Sequence, residues 1–396
     1  MDSPRKRNNN NIRTIAGQAG DLQEPSVSSL FKNLRISPSD HPQVVFIEPF
    51  YGGSHQQLID TLIKRKVDIP NSHLIVLSNK KWHWRARCAA LILSTIIPVV
   101  TTEKVLFCSS VLSLAELVGI RPDLQKLKKI VYFHENQLVY PIREIKQRDI
   151  QFAYNQITTC LAADVVLFNS HYNRTSFLDN LINVIKIFPD NKPKDLRSKI
   201  EAKCSVLYFP LDLRDEFNGD GKYGNVLHIA WPHRWEFDKD PEMFINILKR
   251  LKDDNVNFRV SLLGETFADV PEVFDEAKEV LKDEIVNYGY IEDKDEYYKI
   301  LQTCQVAVST AKHEFFGVSM LEATFYGCLP LVPNRLVYPE IYPAKCVYSD
   351  ETELYLRLKQ YCLVPDLALQ HRSTLSMDFN KFSSEELVPK YLNLFF

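Results

Sequence analysis

Hydrophobic positions in this chain fall into short unbroken runs, separated by stretches with helical spacing. "QVVFIEPF" (43–50), "HLIVLS" (73–78), "KVLFCSS" (104–110), "KIVYFHEN" (129–136), "DVVLFNS" (164–170) and "CSVLYFP" (204–210) read as strands. After the first run, "HQQLIDTLIKR" brings Leu58, Leu62 and Ile63 onto one helical face, and "RDIQFAYNQITTCLAA" (148–163) is a second helix. Strands apolar on both faces and alternating with helices predict a parallel sheet covered on both sides. The polar stretch "LDLRDEFNGDGKYGN" (211–225) has three glycines and no period, which marks a boundary. The pattern then restarts with "NVLHIAWP" (225–232), a helix from Pro241, "FRVSLLG" (258–264), a helix from Pro271, "IVNYGYI" (285–291), "QVAVST" (305–310), "LPLVP" (329–333) and "CVYS" (346–349). The expected architecture is α/β: two doubly wound Rossmann-like domains, 41–215 and 225–396, joined by a linker at 216–224 and facing a central cleft. The final "SSEELVPKYLNLFF" is a closing helix and a candidate to pack back on the first domain.

Composition narrows the class. The chain has 396 residues, of which 45% are hydrophobic, enough for two domains with large cores. Its formal net charge is −2, so any contact with nucleic acid must come from local basic patches. Eight cysteines are scattered without a C-x-x-C, which signals reduced core thiols and neither a zinc site nor a redox pair. In that setting the sequon at Asn173 is read as chance. Residues 1–40 are polar and read as a disordered tail with no secretory signal. The chain is expected in the cytoplasm, with the nucleus also open. Four Lys/Arg against the lone Asp2 in the first twenty residues keep organelle targeting as a minor alternative. The longest apolar run, "CAALILSTIIPVV" (88–100), falls short of the ~18–20 residues of a membrane span. It reads as a buried helix ended by Pro98, and no stable membrane insertion is expected.

In doubly wound sheets, ligands sit beyond the carboxyl ends of the strands. Four loops there carry chemistry. "FYGGSH" places Gly52 and Gly53 where a backbone turns tightly into a helix. "YFHENQLVYP" presents His134, Glu135, Asn136 and Gln137, a donor and acceptor set suited to sugar hydroxyls; Leu138 breaks any H-E-x-x-H zinc motif. "PHRWEFDKDP" holds Arg234 and Lys239, the forked and point charges that suit a pyrophosphate. Asp238 and Asp240 in the same loop are read as solvated charge. "HEFFGVSMLEA" sets Glu314 in a loop and Glu322 on the second turn of a helix whose amino end, Phe316, Gly317, Val318 and Ser319, can meet a phosphate. A further segment, "KKWHWRAR" (Lys80, Lys81, Trp82, Trp84, Arg85, Arg87), combines cations with flat rings. It is read either as a snorkelling structural patch or as a platform for something anionic and flat.

At these residues the sequence resembles the retaining glycosyltransferases of the GT-B fold, the large family that includes glycogen and sucrose synthases. Glu314 and Glu322 match its Glu-x7-Glu, and Arg234 with Lys239 match its basic pair. "FYGGSH", "KKWHWRAR", "FHENQLVYP" and "HRWEFDKDP" are similar to the branch that mannosylates queuosine in tRNA, over about Val44 to the C-terminus. The resemblance implies transfer of mannose from GDP-mannose to the cyclopentenediol of queuosine at the wobble position of aspartate tRNA, with retention and without a metal or other cofactor. It implies that Arg234 and Lys239 hold the diphosphate and Glu322 the ribose diol. Glu314 and the amides of Phe316–Ser319 would grip hexose and phosphate, His134 would lie against the donor sugar, Gly52 and Gly53 would border donor and acceptor, and Tyr290 and Ile291 would flank the base. The basic-aromatic segment, with Glu135, Asn136 and Gln137, would face the tRNA. Two rivals remain at this point: a cytosolic-face glycosyltransferase with a lipid or glycan acceptor, since a basic-aromatic segment before an apolar helix is also what a membrane-surface helix looks like, and an RNA-binding module on a retired transferase fold.

Overall fold

Strands form where the apolar runs lie, because a run apolar on both faces is stable only when both faces are covered. The computed structural model describes residues 44–64, 72–100, 102–140, 150–213, 223–266 and 270–395. The expected tail (1–40) and most of the expected linker (216–224) lie outside the described residues. The first sheet contains β1 (Val44–Tyr51), β2 (His73–Ser78), β3 (Val105–Ser109), β4 (Lys128–Phe133), β5 (Val165–Phe168) and β6 (Cys204–Val206), all parallel, in the order β2-β1-β3-β4-β5-β6. The second contains β7 (Leu227–Pro232), β8 (Phe258–Leu263), β9 (Ile285–Gly289), β10 (Val306–Val308), β11 (Leu329–Pro333) and β12 (Val347–Tyr348), all parallel, in the order β12-β11-β10-β7-β8-β9. Strand order reverses between β1 and β3 and between β7 and β10. A reversal opens a crevice at the carboxyl edge of a sheet.

Helices α1 (Gly53–Lys64), α2 (Trp82–Ile96), α3 (Leu114–Ile120), α4 (Ile150–Ala162), α5 (His171–Lys186) and α6 (Leu196–Glu201) belong to the first domain. Helices α7 (Pro241–Asp253), α8 (Val273–Val280), α9 (Lys294–Leu301), α10 (Val318–Phe325), α11 (Tyr338–Ile341), α12 (Glu351–Leu363), α13 (Pro365–Ser373) and α14 (Ser384–Leu392) follow. Alternation along β1 sends Val45 and Ile47 into one core, with residues of α2 to α6, and Val44 and Phe46 into another that runs on into the second domain. The chain end makes that continuity. Tyr391 donates to the carbonyl of Tyr208 at 3.0 Å, Lys128 Nζ donates to the carbonyl of Leu394 at 2.8 Å, and the ring of Phe395 meets Phe46 and Phe107 edge-on at 5.8 Å each.

Two expectations need correction around α2. The basic-aromatic segment does not precede the helix: from Trp82 to Arg87 it is the start of α2 itself. Nor is the following apolar run buried throughout. A stripe of Ala86, Ala89, Ala90 and Leu93, continued past the helix by Ile97 and Val100, is buried, whereas Leu91, Ile92, Ile96 and Val99 are exposed. No described helix is long and apolar enough to cross a membrane.

Candidate active site

The two switch points each carry a cluster of charge. In the first domain, Glu48 interrupts the apolar run of β1 and is buried, with 1% of its surface exposed. Its Oε1 accepts from the Ser109 hydroxyl at the end of β3 and from the Phe50 amide, both at 2.9 Å. Its Oε2 lies 3.2 Å from Nδ1 of His55, on the first turn of α1, in an ion pair not aligned as a hydrogen bond. The other nitrogen of His55, Nε2, is 3.4 Å from Glu135 Oε2. Burial works against a charge on His55, but Glu48 and Glu135 outweigh it and push its pKa up to about 10. The His134 ring stacks on that of His55 with centroids 3.9 Å apart. Burial first, and the neighbouring His55 cation second, hold His134 well below the usual histidine range, so it is neutral.

The turn that delivers His55 depends on its glycines. A Cβ on Gly52 would fall 2.3–2.6 Å from the side chain of Asn79, and Gly53 has φ of +53°. Glu48, His55 and His134 bring possible ligand atoms within 4.8 Å of one another. Both His55 nitrogens face carboxylates, however, which is the arrangement of an imidazolium and leaves no lone pair for a cation.

In the second domain, Lys239 follows β7 and stands among acceptors: the His313 carbonyl at 2.7 Å, Asp238 Oδ2 at 3.1 Å and Glu314 Oε2 at 3.4 Å. Glu314 Oε1 accepts from its own loop, the amides of Phe315 at 3.1 Å and Phe316 at 3.4 Å. Burial tends to raise the Glu314 carboxyl, yet Lys239 draws it below the ordinary range, so it is ionised. Gly317 takes φ of +83° and turns the chain into α10, whose amino end has no side-chain cap. Arg234 is half-exposed, with Glu236 at 3.2 Å. Glu322 is buried on α10; its Oε1 accepts from Tyr298 at 3.2 Å and from Lys294. Asp238 and Asp240 are not solvated, as their spacing suggested: both are buried, the first beside Lys239 and the second 2.8 Å from Lys312 Nζ.

Aromatic residues join the halves. Phe209 is 6.1 Å from His134 and 6.0 Å from Phe316, ring to ring. Tyr140, from the loop after β4, reaches His313 at 5.9 Å and sits in the field of Asp238, Arg234 and Lys239. Glu340 accepts from the amides of His171 and Tyr172 at 3.0 and 2.9 Å, capping α5 from the other domain, and Ser170 Oγ donates to the Phe315 carbonyl at 2.7 Å.

Thus Gly52, Gly53, His134 and Glu135 follow strands of the first sheet, and Arg234, Lys239, Glu314, Phe316, Gly317, Val318, Ser319 and Glu322 lie in the loops and helix that follow β7 and β10 of the second. Asn136 does not present itself to a ligand as expected. It is wholly buried and donates to Asn173 Oδ1 at 2.8 Å and Ser176 Oγ at 3.1 Å, which fixes the loop. Gln137 is half-buried, its amide held by Gln156 at 2.7 Å. Tyr290 is exposed and Ile291 half-buried beyond β9, the sheet's edge strand. The basic-aromatic segment divides. Trp82 packs on Phe152 at 5.1 Å, Arg87 lies over the same ring at 4.2 Å, and Arg85 is tied to Ser78 at 2.7 and 3.0 Å. Those three build the patch, while Lys80, Lys81 and Trp84 are exposed. Sequence reasoning misses Glu48, His55 and Tyr140 as site residues. A lone carboxylate within an apolar strand is the available signal for Glu48.

Two doubly wound sheets whose switch points meet across a cleft, one with a basic pair and a Glu-x7-Glu junction, define a glycosyltransferase of the GT-B fold. Solved structures of similar fold include the trehalose-6-phosphate synthase OtsA (12% identical, TM-score 0.63, covering 89% of this chain and 98% of that one) and Anabaena HepE in complex with UDP and glucose (12% identical, TM-score 0.61, covering 89% and 99%). Residues 43–211 match the family described as tRNA-queuosine alpha-mannosyltransferase N-terminal, and residues 214–344 match glycosyl transferases group 1. A Drosophila melanogaster tRNA-queuosine alpha-mannosyltransferase is 48% identical over 365 residues, covering 89% of this chain and 96% of that protein. The chain belongs to the tRNA-queuosine alpha-mannosyltransferase family.

The buried ion pairs make stability depend on pH. The folded pKa of His55, about 10, lies above the unfolded value of about 6.5. Its contribution is therefore fully present below pH 6.5 and is lost as pH rises through 10. Unfolding free energy measured from pH 6 to 9 should fall with pH, and His55→Gln should flatten that slope. An unchanged slope in the variant would contradict the assignment.

Proposed function

We propose that this protein transfers mannose from GDP-mannose to the cyclopentenediol of queuosine at the wobble position of aspartate tRNA, with retention of configuration. The observation that supports the proposal is that a domain of the queuosine-tRNA mannosyltransferase family (43–211) is followed in one chain by a glycosyl transferases group 1 domain (214–344). Breaking the bond between the anomeric carbon and the phosphate oxygen builds positive charge on the sugar and negative charge on the leaving diphosphate. Arg234, Lys239 and the amides of Gly317 to Ser319 are set to stabilise the diphosphate, and this basic pair takes the place of a metal. The acceptor hydroxyl adds from the same face, and the leaving phosphate oxygen takes its proton. Neutral His134 serves as a hydrogen-bonding partner for the donor sugar. Glu322 has one oxygen on Tyr298 and Lys294, leaving the second for a ribose hydroxyl. Tyr290 and Ile291 flank the base.

The tRNA lies along the first domain. Lys80, Lys81 and Trp84 provide cations for phosphate and a face for a base, where stacking is worth ~1–3 kcal/mol. Lys81 caps α2 with φ of +53°, a left-handed conformation costly for a lysine and often retained at functional sites. A second reading, a lipid acceptor, is favoured by the exposed Leu91, Ile92, Ile96 and Val99 on the same helix and just past its end.

Mass spectrometry of tRNA nucleosides should show mannosyl-queuosine lost when the gene is removed; its persistence unchanged would end the proposal. With purified protein, Arg234→Ala and Glu314→Ala should each lower turnover by ~10²-fold or more, the range for losing one transition-state stabiliser. Near-wild-type rates in both would remove the donor assignment. Pelleting with anionic vesicles separates the two acceptors: binding to tRNA with none to vesicles is expected, and the reverse would favour the lipid.

A further inference from the structure

The acceptor half-site carries a charge that its own residues leave uncompensated. Glu48 is saturated: Ser109 and Phe50 occupy one oxygen and His55 the other. Glu135 is not. Its Oε2 faces His55, its Oε1 has no partner among the described residues, and its side chain keeps 17% of its surface open at the end of β4. Its main chain is fixed, since the Glu135 carbonyl accepts from Ser110 Oγ at 3.3 Å and Gln156 Nε2 at 3.5 Å. Two carboxylates around one imidazolium leave a net charge of −1 in a mostly dry pocket. Such a charge is costly unless a cation completes it. A second observation points to the same place. The preceding residue, His134, is 6% exposed; its ring forms no hydrogen bond among the described residues, lies stacked on His55 and keeps a nitrogen within 4.8 Å of the His55 and Glu48 polar atoms. A neutral hydrogen-bonding ring and a half-open carboxylate thus stand on consecutive residues, suited to a group that has both hydroxyls and positive charge.

We propose that Glu135 is an ammonium-binding subsite for the acceptor, held in place by His55 and through it by Glu48. The inference rests on the queuosine assignment above. In queuosine, the cyclopentenediol is joined to the 7-deazaguanine through an aminomethyl link, and that secondary amine is protonated at neutral pH. Placing the ammonium on Glu135 neutralises the pocket and sets the adjacent diol beside His134 and the donor sugar. Unmodified guanine at the same position offers neither the cation nor the diol. The subsite therefore selects the hypermodified base by charge as well as shape. His55 acts through Glu135 as a positioning residue.

The test compares two anticodon stem-loop RNAs, one with queuosine and one in which the linking nitrogen is replaced by oxygen, so that the diol stays and the charge goes. Wild-type kcat/KM should favour the queuosine RNA by about 10- to 100-fold, the range of one charge-assisted hydrogen bond. Glu135→Gln should lower turnover of the queuosine RNA and bring the ratio near one. A wild-type enzyme that uses both RNAs equally would overturn the subsite, and so would a Glu135→Gln enzyme that keeps the full ratio. The wild-type comparison needs no variant, so it decides the matter even where the Glu135→Gln protein fails to fold. If the wild-type enzyme transfers to neither RNA while it hydrolyses GDP-mannose, the queuosine assignment itself falls, and the subsite with it.

Discussion

The chain end holds the cleft in register. A doubly wound sheet needs cover on both faces, and the first sheet has one face that its own helices do not close. Tyr391, Leu392 and Phe395 close it, so that Phe46, Phe107 and Tyr132 share one continuous core with the second domain. Chain that has already built the donor domain returns to complete the acceptor domain. Main-chain bonding reinforces the crossing, with Leu211 donating to Phe382 at 2.7 Å and Ser384 donating to Leu211 at 2.8 Å. Beside the site, Glu340 on the amino end of α5 and Ser170 on Phe315 add polar ties. A buried helix end left without acceptors would be costly, so the Glu340 contact favours one arrangement of the domains over a splayed one. The two charged clusters can cooperate only because these ties fix how their switch points face.

Within that frame the clusters have opposite needs. The donor half gathers Lys239, Arg234 and helix amides, yet Asp238, Glu236 and Glu314 answer the cations where they stand. In the proposed function an entering diphosphate would compete with these carboxylates through its greater charge and larger number of acceptor oxygens. The acceptor half has the reverse balance, two carboxylates to one imidazolium. A reaction that drives negative charge onto a leaving group and positive charge onto a sugar is served by cations on one side and a net negative pocket on the other. Keeping His134 neutral matters here. A second imidazolium stacked on the first would cancel the pocket's charge and remove the imidazole lone pair.

Much of this is legible in the sequence, for reasons that differ by residue. All twelve strands of the described residues can be read, because parallel strands covered on both faces are written as apolar runs. Arg234, Lys239, Glu314 and Glu322 are legible because their spacing is tied to local strand–loop–helix geometry. Asp238 misleads for the opposite reason: two acids flanking a lysine in a polar loop look solvated until the fold closes over them. Asn136 misleads because its partners, Asn173 and Ser176, lie on a helix distant in sequence. The α2 region fails on amphipathicity. Three alanines and Leu93 face the core, so the apolar run gives no sign that Leu91 and Ile92 remain exposed.

Glu48 shows most clearly where reading a sequence stops. A carboxylate inside "VVFIEPF" conflicts with everything else about that strand, and burial alone would make it intolerable. It is tolerated because the Phe50 amide and His55 of α1 meet it from the adjoining chain, while Ser109 arrives from β3, set beside β1 at the reversal of strand order. The conflict is visible, but its resolution is only partly local, since Ser109 is 61 residues away along the chain. Charged residues that break a strand's pattern at a switch point are thus the ones whose meaning depends most on topology. In this chain that residue anchors the imidazolium on which the acceptor pocket is built.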